Sequence, residues 1–146
     1  MLSRKELPEL PEVETTRRGI EPHIEKERVR EIVLRRKNLR WPISPALSDE
    51  LPGEVIQTVG RRGKYLLLAT RIHLGMSGSL RIVDKNRIAQ KHDHVDIVFA
   101  NHKILRYTDP RRFGCILWNT GPIDSHPLLA ALGPEPLSED FYTDYI

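Results

Sequence analysis

The sequence predicts a mainly β fold of short antiparallel strands, a sandwich or flattened barrel, with a helix ahead of it. Three observations predict this. Six β-rich runs crowd the middle of the chain: Val55–Val59, Tyr65–Ala69, Ser79–Val83, Val95–Phe99, Ile104–Tyr107 and Cys115–Trp118. Turn residues separate most of them, at Gly78, Asp84–Asn86, Asn101 and Asp109–Pro110. The runs are short and closely spaced, which argues for antiparallel sheets.

Taken in order, the chain opens with LPELPEVE at Leu7–Glu14. Prolines near a first helical turn waste no hydrogen bond, and glutamates there suit the helix dipole. Val13, Arg17 and Ile20 then recur at helical spacing, which predicts a helix over Pro11–Ile20 that Pro22 ends or bends. The β-branched run within Arg28–Arg36 predicts a strand. A turn-rich stretch follows, holding Pro42, Pro45 and Pro52–Gly53. Leu66–Leu74 reads LLLATRIHL with no turn residue, so it predicts either one long strand or a gap in the chain between Thr70 and Arg71. Leu128–Leu132 predicts a short helix, Gly133–Pro136 a linker, and Ser138 the N-cap of a further helix reaching Ile146.

The 146 residues suffice for one domain with a real core, and 39% hydrophobic with 29% charged residues fits a soluble globular protein. No apolar run approaches the roughly 18 residues of a membrane span, and no secretory leader is evident. Cys115 is the only cysteine, which excludes an internal disulfide framework and a multi-cysteine zinc site and points to a reducing cytosol. Charge is uneven: residues 1–112 hold 23 basic and 15 acidic side chains, a net of +8, and residues 113–146 a net of −5. A basic body suits either a polyanion partner or an ordinary solvated surface.

Four stretches could carry chemistry. Arg61–Lys64 ends a predicted strand, so Lys64 is either an exposed strand-end charge or a cation aimed at a phosphate or sugar. His73–Gly78 brackets Met76 between glycines, which suits core filler or a flexible apolar wedge on a loop. Lys91–Asp96 places His92, His94 and Asp96 on one side of an extended segment. This could hold a metal, or be a polar strand start whose histidines bond backbone or phosphate. Tyr107–Gly114 reads YTDPRRFG: Asp109–Pro110 starts a turn, and two arginines precede Phe113. Such a fork beside a ring suits entry into a base stack, or a surface turn whose ring returns to the core.

Together, LPELPEVETTRRGIEPHI, RRGKYLLL, IHLGMSGSLR, KHDHVD, LRYTDPRRFG and LGPEPL occur in the order seen in formamidopyrimidine-DNA glycosylases, bacterial base-excision repair enzymes. The resemblance runs from about Leu7 to the carboxyl end. It implies an α+β, mainly β fold: a two-sheet antiparallel β-sandwich flanked by helices. It implies an N-terminal extension at 1–7, a catalytic domain at 8–133, and a linker with the start of a helical domain at 134–146. The implied activity is DNA glycosylase and AP lyase on oxidised purines such as 8-oxoguanine and formamidopyrimidines. The alternative is a catalytically silent DNA-binding fragment of that family.

The resemblance also implies roles. Pro8 matches the family's N-terminal proline, whose secondary amine attacks the sugar C1′ and leaves an iminium adduct. Glu9 matches the acid/base glutamate, and Lys64 the lysine that assists β-elimination and contacts phosphate. His73 and His92 match DNA contacts. Met76, Arg111 and Phe113 match the trio that fills the gap left by a flipped nucleotide, with Arg111 facing the orphaned cytosine. Arg112 contacts the phosphate backbone. An α-amino group titrates nearer neutrality than a lysine, so it is the better nucleophile at working pH. The implied partner is duplex DNA with an oxidised purine opposite cytosine. The implied state is a cytoplasmic, nucleoid-associated bacterial monomer with no membrane partner. The family's helix-two-turns-helix domain and four-cysteine zinc finger lack counterparts here. No metal or cofactor is therefore expected in this chain, zinc is expected only in a full-length protein, and DNA binding should be weak and salt-sensitive. Met1–Leu7 precede Pro8, which predicts that Leu7 marks the working start and that Pro8 is freed from it.

Overall fold

The computed structural model describes residues 10–62, 65–68, 72–75 and 77–118, the side chains of Leu10, Pro11 and Arg62 aside. Helix α1 spans Leu10–Ile24. Val13, Ile20 and Ile24 form its buried face, and Arg17 holds its flank to Glu14 and Glu21. The helix does not stop at Pro22. It runs two residues further, because burial of Ile24 (0% exposed) outweighs the one hydrogen bond that the proline nitrogen cannot make.

Strand β1 (Val29–Leu34) follows as predicted. The turn-rich stretch holds an unexpected short helix, α2 (Pro45–Glu50). Ser44 caps it, its hydroxyl accepting from the Ala46 N–H at 3.2 Å, and Pro45 fills the first position. The strand expected at Val55–Val59 is displaced to β2 (Val59–Arg62), with Val55 making only an isolated bridge to Arg28. Ile56 exchanges backbone hydrogen bonds with Lys26 and Glu27 instead, closing the α1–β1 connection.

Strands β3 (Tyr65–Leu68) and β4 (Ile72–Gly75) pair antiparallel, Leu68 opposite Ile72 and Tyr65 opposite Gly75. This corrects the reading of Leu66–Leu74 as one long strand. The Thr70–Arg71 junction, where a gap in the chain was the alternative, lies outside the described residues. Strands β5 (Ser79–Asp84), β6 (Asp93–Phe99), β7 (Lys103–Thr108) and β8 (Cys115–Trp118) complete the fold. The predicted helices and linker beyond residue 118 lie outside the described residues.

The strands form two four-stranded antiparallel sheets, β1-β6-β7-β5 and β2-β3-β4-β8. The core lies between them. Val95, Ile97, Phe99 and Leu105 face Leu66, Leu68, Leu74 and Ile116, and α1, Leu47, Leu51 and Ile56 close one side. The outer face of the first sheet carries a buried ion network. Asp96 receives both arms of Arg106 at 2.9 Å and Arg35 at 2.7 Å, while Asp93 lies 3.9 Å from Arg106.

Phe99, wholly enclosed, and Ile88, 81% exposed, set the scale of packing. Phe99→Ala should cost about 3–5 kcal/mol in urea unfolding, and Ile88→Ala within about 0.5 kcal/mol.

Candidate nucleic-acid interface

The strand registers bring the predicted stretches to one end of the sandwich. Tyr65, Gly75 and Cys115 are cross-strand neighbours on β3, β4 and β8. The chain positions next to them are 64, 76 and 114. At a strand spacing of about 4.8 Å, the three chain exits span about 10 Å. In the first sheet, Ser79, Thr108 and Asp93 form the matching row, next to Gly78, Asp109 and His92. Helix α1 runs antiparallel to β2. Glu14 meets Arg61 at 3.6 Å, and Arg17 donates to the Val59 carbonyl at 3.3 Å. The start of α1 therefore points toward the β2–β3 turn.

Two connections cross between the sheets at this end: residues 76–78 from β4 to β5, and 109–114 from β7 to β8. Asp109 fastens them together. Its buried carboxylate accepts from the Ser77 hydroxyl at 2.8 Å, the Tyr107 hydroxyl at 2.6 Å, and the N–H groups of Arg112 and Gly114 at 3.0 Å. Its backbone N–H donates to the His92 carbonyl at 3.1 Å, and its own carbonyl lies 2.8 Å from His94 Nε2. Burial alone would raise the Asp109 carboxyl, but the bonds from Tyr107, Gly114, Ser77 and Arg112 outweigh it and hold it below the usual carboxylate range. The same burial, with the charge of Asp109, pushes the Tyr107 phenol well up.

Glycine makes the close approach possible. A methyl group on Gly78 would overlap the Thr108 carbonyl, and one on Gly114 would overlap the Tyr107 hydroxyl and the Gly75 carbonyl. Arg112 sits at φ 58°, a left-handed conformation costly for a side-chain-bearing residue, and its N–H bond to Asp109 holds it there. Between these anchors Arg111 and Phe113 project outward. The Arg111 guanidinium stacks 4.6 Å from the centroid of the Phe113 ring, which is 51% exposed. The ring does not return to the core.

The remaining predicted site residues fall as follows. Arg112 is exposed on the same loop, and His92 is half-buried just before β6. His73 is wholly buried on β4, between Leu67 and Leu117. Pro8, Glu9, Lys64 and Met76 lie outside the described residues. The alternative of a metal bound by His92, His94 and Asp96 is not favoured: Asp96 is engaged by two arginines and His94 by a backbone carbonyl. Among the described residues no group of three His, Cys, Asp or Glu side chains is arranged to hold a metal ion. Cys115 is buried 3.9 Å from the Tyr65 hydroxyl. At the helix, Arg17 and Arg18 outweigh partial burial and lower Glu14 to about 2, so it is anionic at all working pH. Sequence reasoning took Asp109 only as a turn starter. The Asp-Pro pair signalled the turn, but nothing in it signalled that the carboxylate would collect Tyr107 and two amides of its own loop together with the distant Ser77 hydroxyl.

The model of the formamidopyrimidine-DNA glycosylase N-terminal domain matches residues 7–116. The chain belongs to that family. It is 53% identical over 145 residues to a formamidopyrimidine-DNA glycosylase of Shewanella amazonensis, covering 96% of this chain and 53% of the relative. The corresponding enzyme of Cellvibrio japonicus is 55% identical, with 96% and 53% covered. The Lactococcus lactis glycosylase bound to formamidopyrimidine-containing DNA is similar in structure, with a TM-score of 0.66, 35% identity, and 77% of this chain and 44% of that one covered. The chain thus spans about half the length of these relatives. Among the described residues no helix is long and apolar enough to cross a membrane.

Asp109→Asn should cost about 2–4 kcal/mol, because the ionised acceptor of four hydrogen bonds is lost. A carboxyl held below its ordinary value stabilises the fold above its unfolded pKa, about 3.9, and that stabilisation drains as pH falls through the folded value. Melting curves of wild type and Asp109→Asn should therefore differ most near pH 7 and begin to converge only as pH falls below about 4.

Proposed function

We propose that this chain is the catalytic-domain portion of a DNA glycosylase and AP lyase that removes oxidised purines from duplex DNA opposite cytosine. One observation carries the reading most. The chain exits toward positions 64 and 76 and the Arg111–Phe113 loop share one end of one sheet, with a half-exposed ring and a guanidinium already stacked there. Extruding a base from the duplex costs a few kcal/mol of stacking and pairing, and the gap must be refilled. Phe113 serves as the wedge in the stack, Arg111 faces the unpaired cytosine with its fork of donors, and Met76 fills the remaining space. His92 and Arg112, which reach the surface, hold backbone phosphates, whereas His73 is enclosed between β3 and β8 and takes no such part.

In this reading Pro8 supplies the nucleophile. Its amine nitrogen bonds to C1′, the bond from C1′ to the damaged base breaks, and the base leaves with a proton. Opening of the sugar ring gives an iminium between Pro8 and the DNA. Glu9 moves protons at the sugar, and Lys64 assists the β-elimination that follows. The chemistry calls on an amine and a carboxylate and assigns no metal or cofactor to this chain. The protein acts as a monomer in the bacterial cytoplasm, at the nucleoid. Residues 8–133 form the catalytic domain.

A second reading has its own observation. In the sequence as it stands the Pro8 nitrogen is an amide bonded to Leu7, without a usable lone pair. Such a chain binds DNA and is catalytically silent.

Borohydride reduction of the iminium separates the two. A chain beginning at Pro8 should become covalently joined to 8-oxoguanine duplex, and one retaining residues 1–7 should not. Absence of adduct from the chain beginning at Pro8 overturns the enzymatic reading. Phe113→Ala should weaken lesion-duplex binding about tenfold or more in fluorescence anisotropy, by loss of stacking worth about 1–3 kcal/mol.

A further inference from the structure

The segment between β1 and α2, residues 35–43, entered the sequence reading only as a run of turns. In the structure it is an anchored loop at the functional end. Leu34 pairs with Val95, so β1 leaves its sheet beside the start of β6. The N–H groups of Arg35 and Arg36 both donate to the His94 carbonyl, at 2.8 and 3.3 Å. The N–H of Arg40 donates to the Gly114 carbonyl at 3.0 Å. The loop therefore lies against the strand that follows His92 on one side and the end of the Arg111–Phe113 loop on the other. It is closed on itself by the Ile43 N–H to the Lys37 carbonyl at 2.8 Å and by the Asn38–Pro42 bridge. Leu39 and Ile43 are buried in the core and pin it from below.

What this loop turns outward is positive. Arg36, Lys37 and Arg40 are exposed. The Arg40 guanidinium stacks 4.8 Å from the Trp41 ring centroid, and Trp41 packs beside Cys115 and Leu117. Arg36 is steadied by its bond to the Asn38 carbonyl at 3.1 Å. Arg17, Arg18, Arg35, Arg61 and Arg106 all pair with carboxylates, whereas among the described residues none lies within ion-pair distance of Arg36, Lys37 or Arg40. Three cations on a rigid loop, uncompensated and adjoining a wedge for a base stack, have the chemistry of a phosphate track.

We propose that Arg36, Lys37 and Arg40 form a backbone-phosphate contact for the duplex flanking the flipped nucleotide, continuous with His92, Arg111 and Arg112. This assignment rests on the DNA-binding reading above. The contact is independent of base sequence and of the lesion, since it meets only phosphates. Its anchoring leaves little loop entropy to lose on binding.

Salt dependence tests it. Fluorescence anisotropy of this chain with lesion and undamaged duplexes, between 50 and 200 mM salt, gives the slope of log affinity against log salt. Each phosphate contact adds roughly 0.9 to that slope. The triple variant Arg36→Gln, Lys37→Gln, Arg40→Gln removes the three charges and keeps polar side chains of intermediate length. It should lower the slope by about 2 to 3 and weaken both duplexes alike, with an unchanged melting temperature. Lys37→Gln alone should lower it by roughly 0.9, and serves if the triple variant folds poorly. Arg36→Lys with Arg40→Lys should keep the slope. Wild-type binding with an unchanged slope in the variants, or weakening confined to the lesion duplex, overturns the assignment alone. No binding by wild type at any salt overturns the reading beneath it as well.

Discussion

The end of the sandwich where β4, β5, β7 and β8 meet depends on one buried carboxylate. Asp109 collects hydrogen bonds from the β4–β5 connection, from the hydroxyl of Tyr107, and from two amides of its own loop. Through its backbone it also meets His92 and His94. A charge removed from water is costly unless its lone pairs are filled, and here they are. The requirement works in both directions. The donors hold the charge, and the charge fixes where the donors stand. Two crossover loops that would otherwise move separately become one rigid unit, and Arg111 and Phe113 are the part of that unit left in the open.

Cations in this chain fall into two kinds. Arg106 and Arg35 are spent on Asp96 and Asp93, on the outer face of the first sheet, where they fasten the β1, β6 and β7 strands to one another. Arg17 and Arg61 do the same for α1 and β2 through Glu14. Among the described residues, the unpaired cations Arg36, Lys37, Arg40 and Arg111 lie on loops rather than on strands. A net charge of +8 over residues 1–112 does not distinguish these uses, and only the placement of the carboxylates does.

Much of the fold was legible because its signals are local. The Val13–Ile20 periodicity, the β-branched runs and the Asp-Pro turn each act over a few residues and survived folding nearly unchanged. The failures have a common cause. Pro22 was overruled by burial of Ile24, the Val55–Val59 run by hydrogen bonds from Ile56 to the α1–β1 connection, and the turnless Leu66–Leu74 run by pairing of Leu68 with Ile72. Helix α2 carried a readable Ser-Pro start that proline content obscured. The site was legible as motifs but not as a place. The alignment of Tyr65, Gly75 and Cys115 is a matter of register between separate strands, and the bond from Ser77 to Asp109 likewise joins two segments 32 residues apart.

The short β3–β4 hairpin has a further meaning for the working molecule. Residues 69–71 join the strands at Leu68 and Ile72, the ends opposite Tyr65 and Gly75. Tyr65 and Leu68, the two ends of β3, are about 10 Å apart at the rise of an extended strand. The register that aligns Tyr65 with Gly75 is carried by the four paired positions of β3 and β4. A fluorophore attached beside Leu68 or Ile72 would therefore report from the end of β3 and β4 opposite to Tyr65 and Gly75.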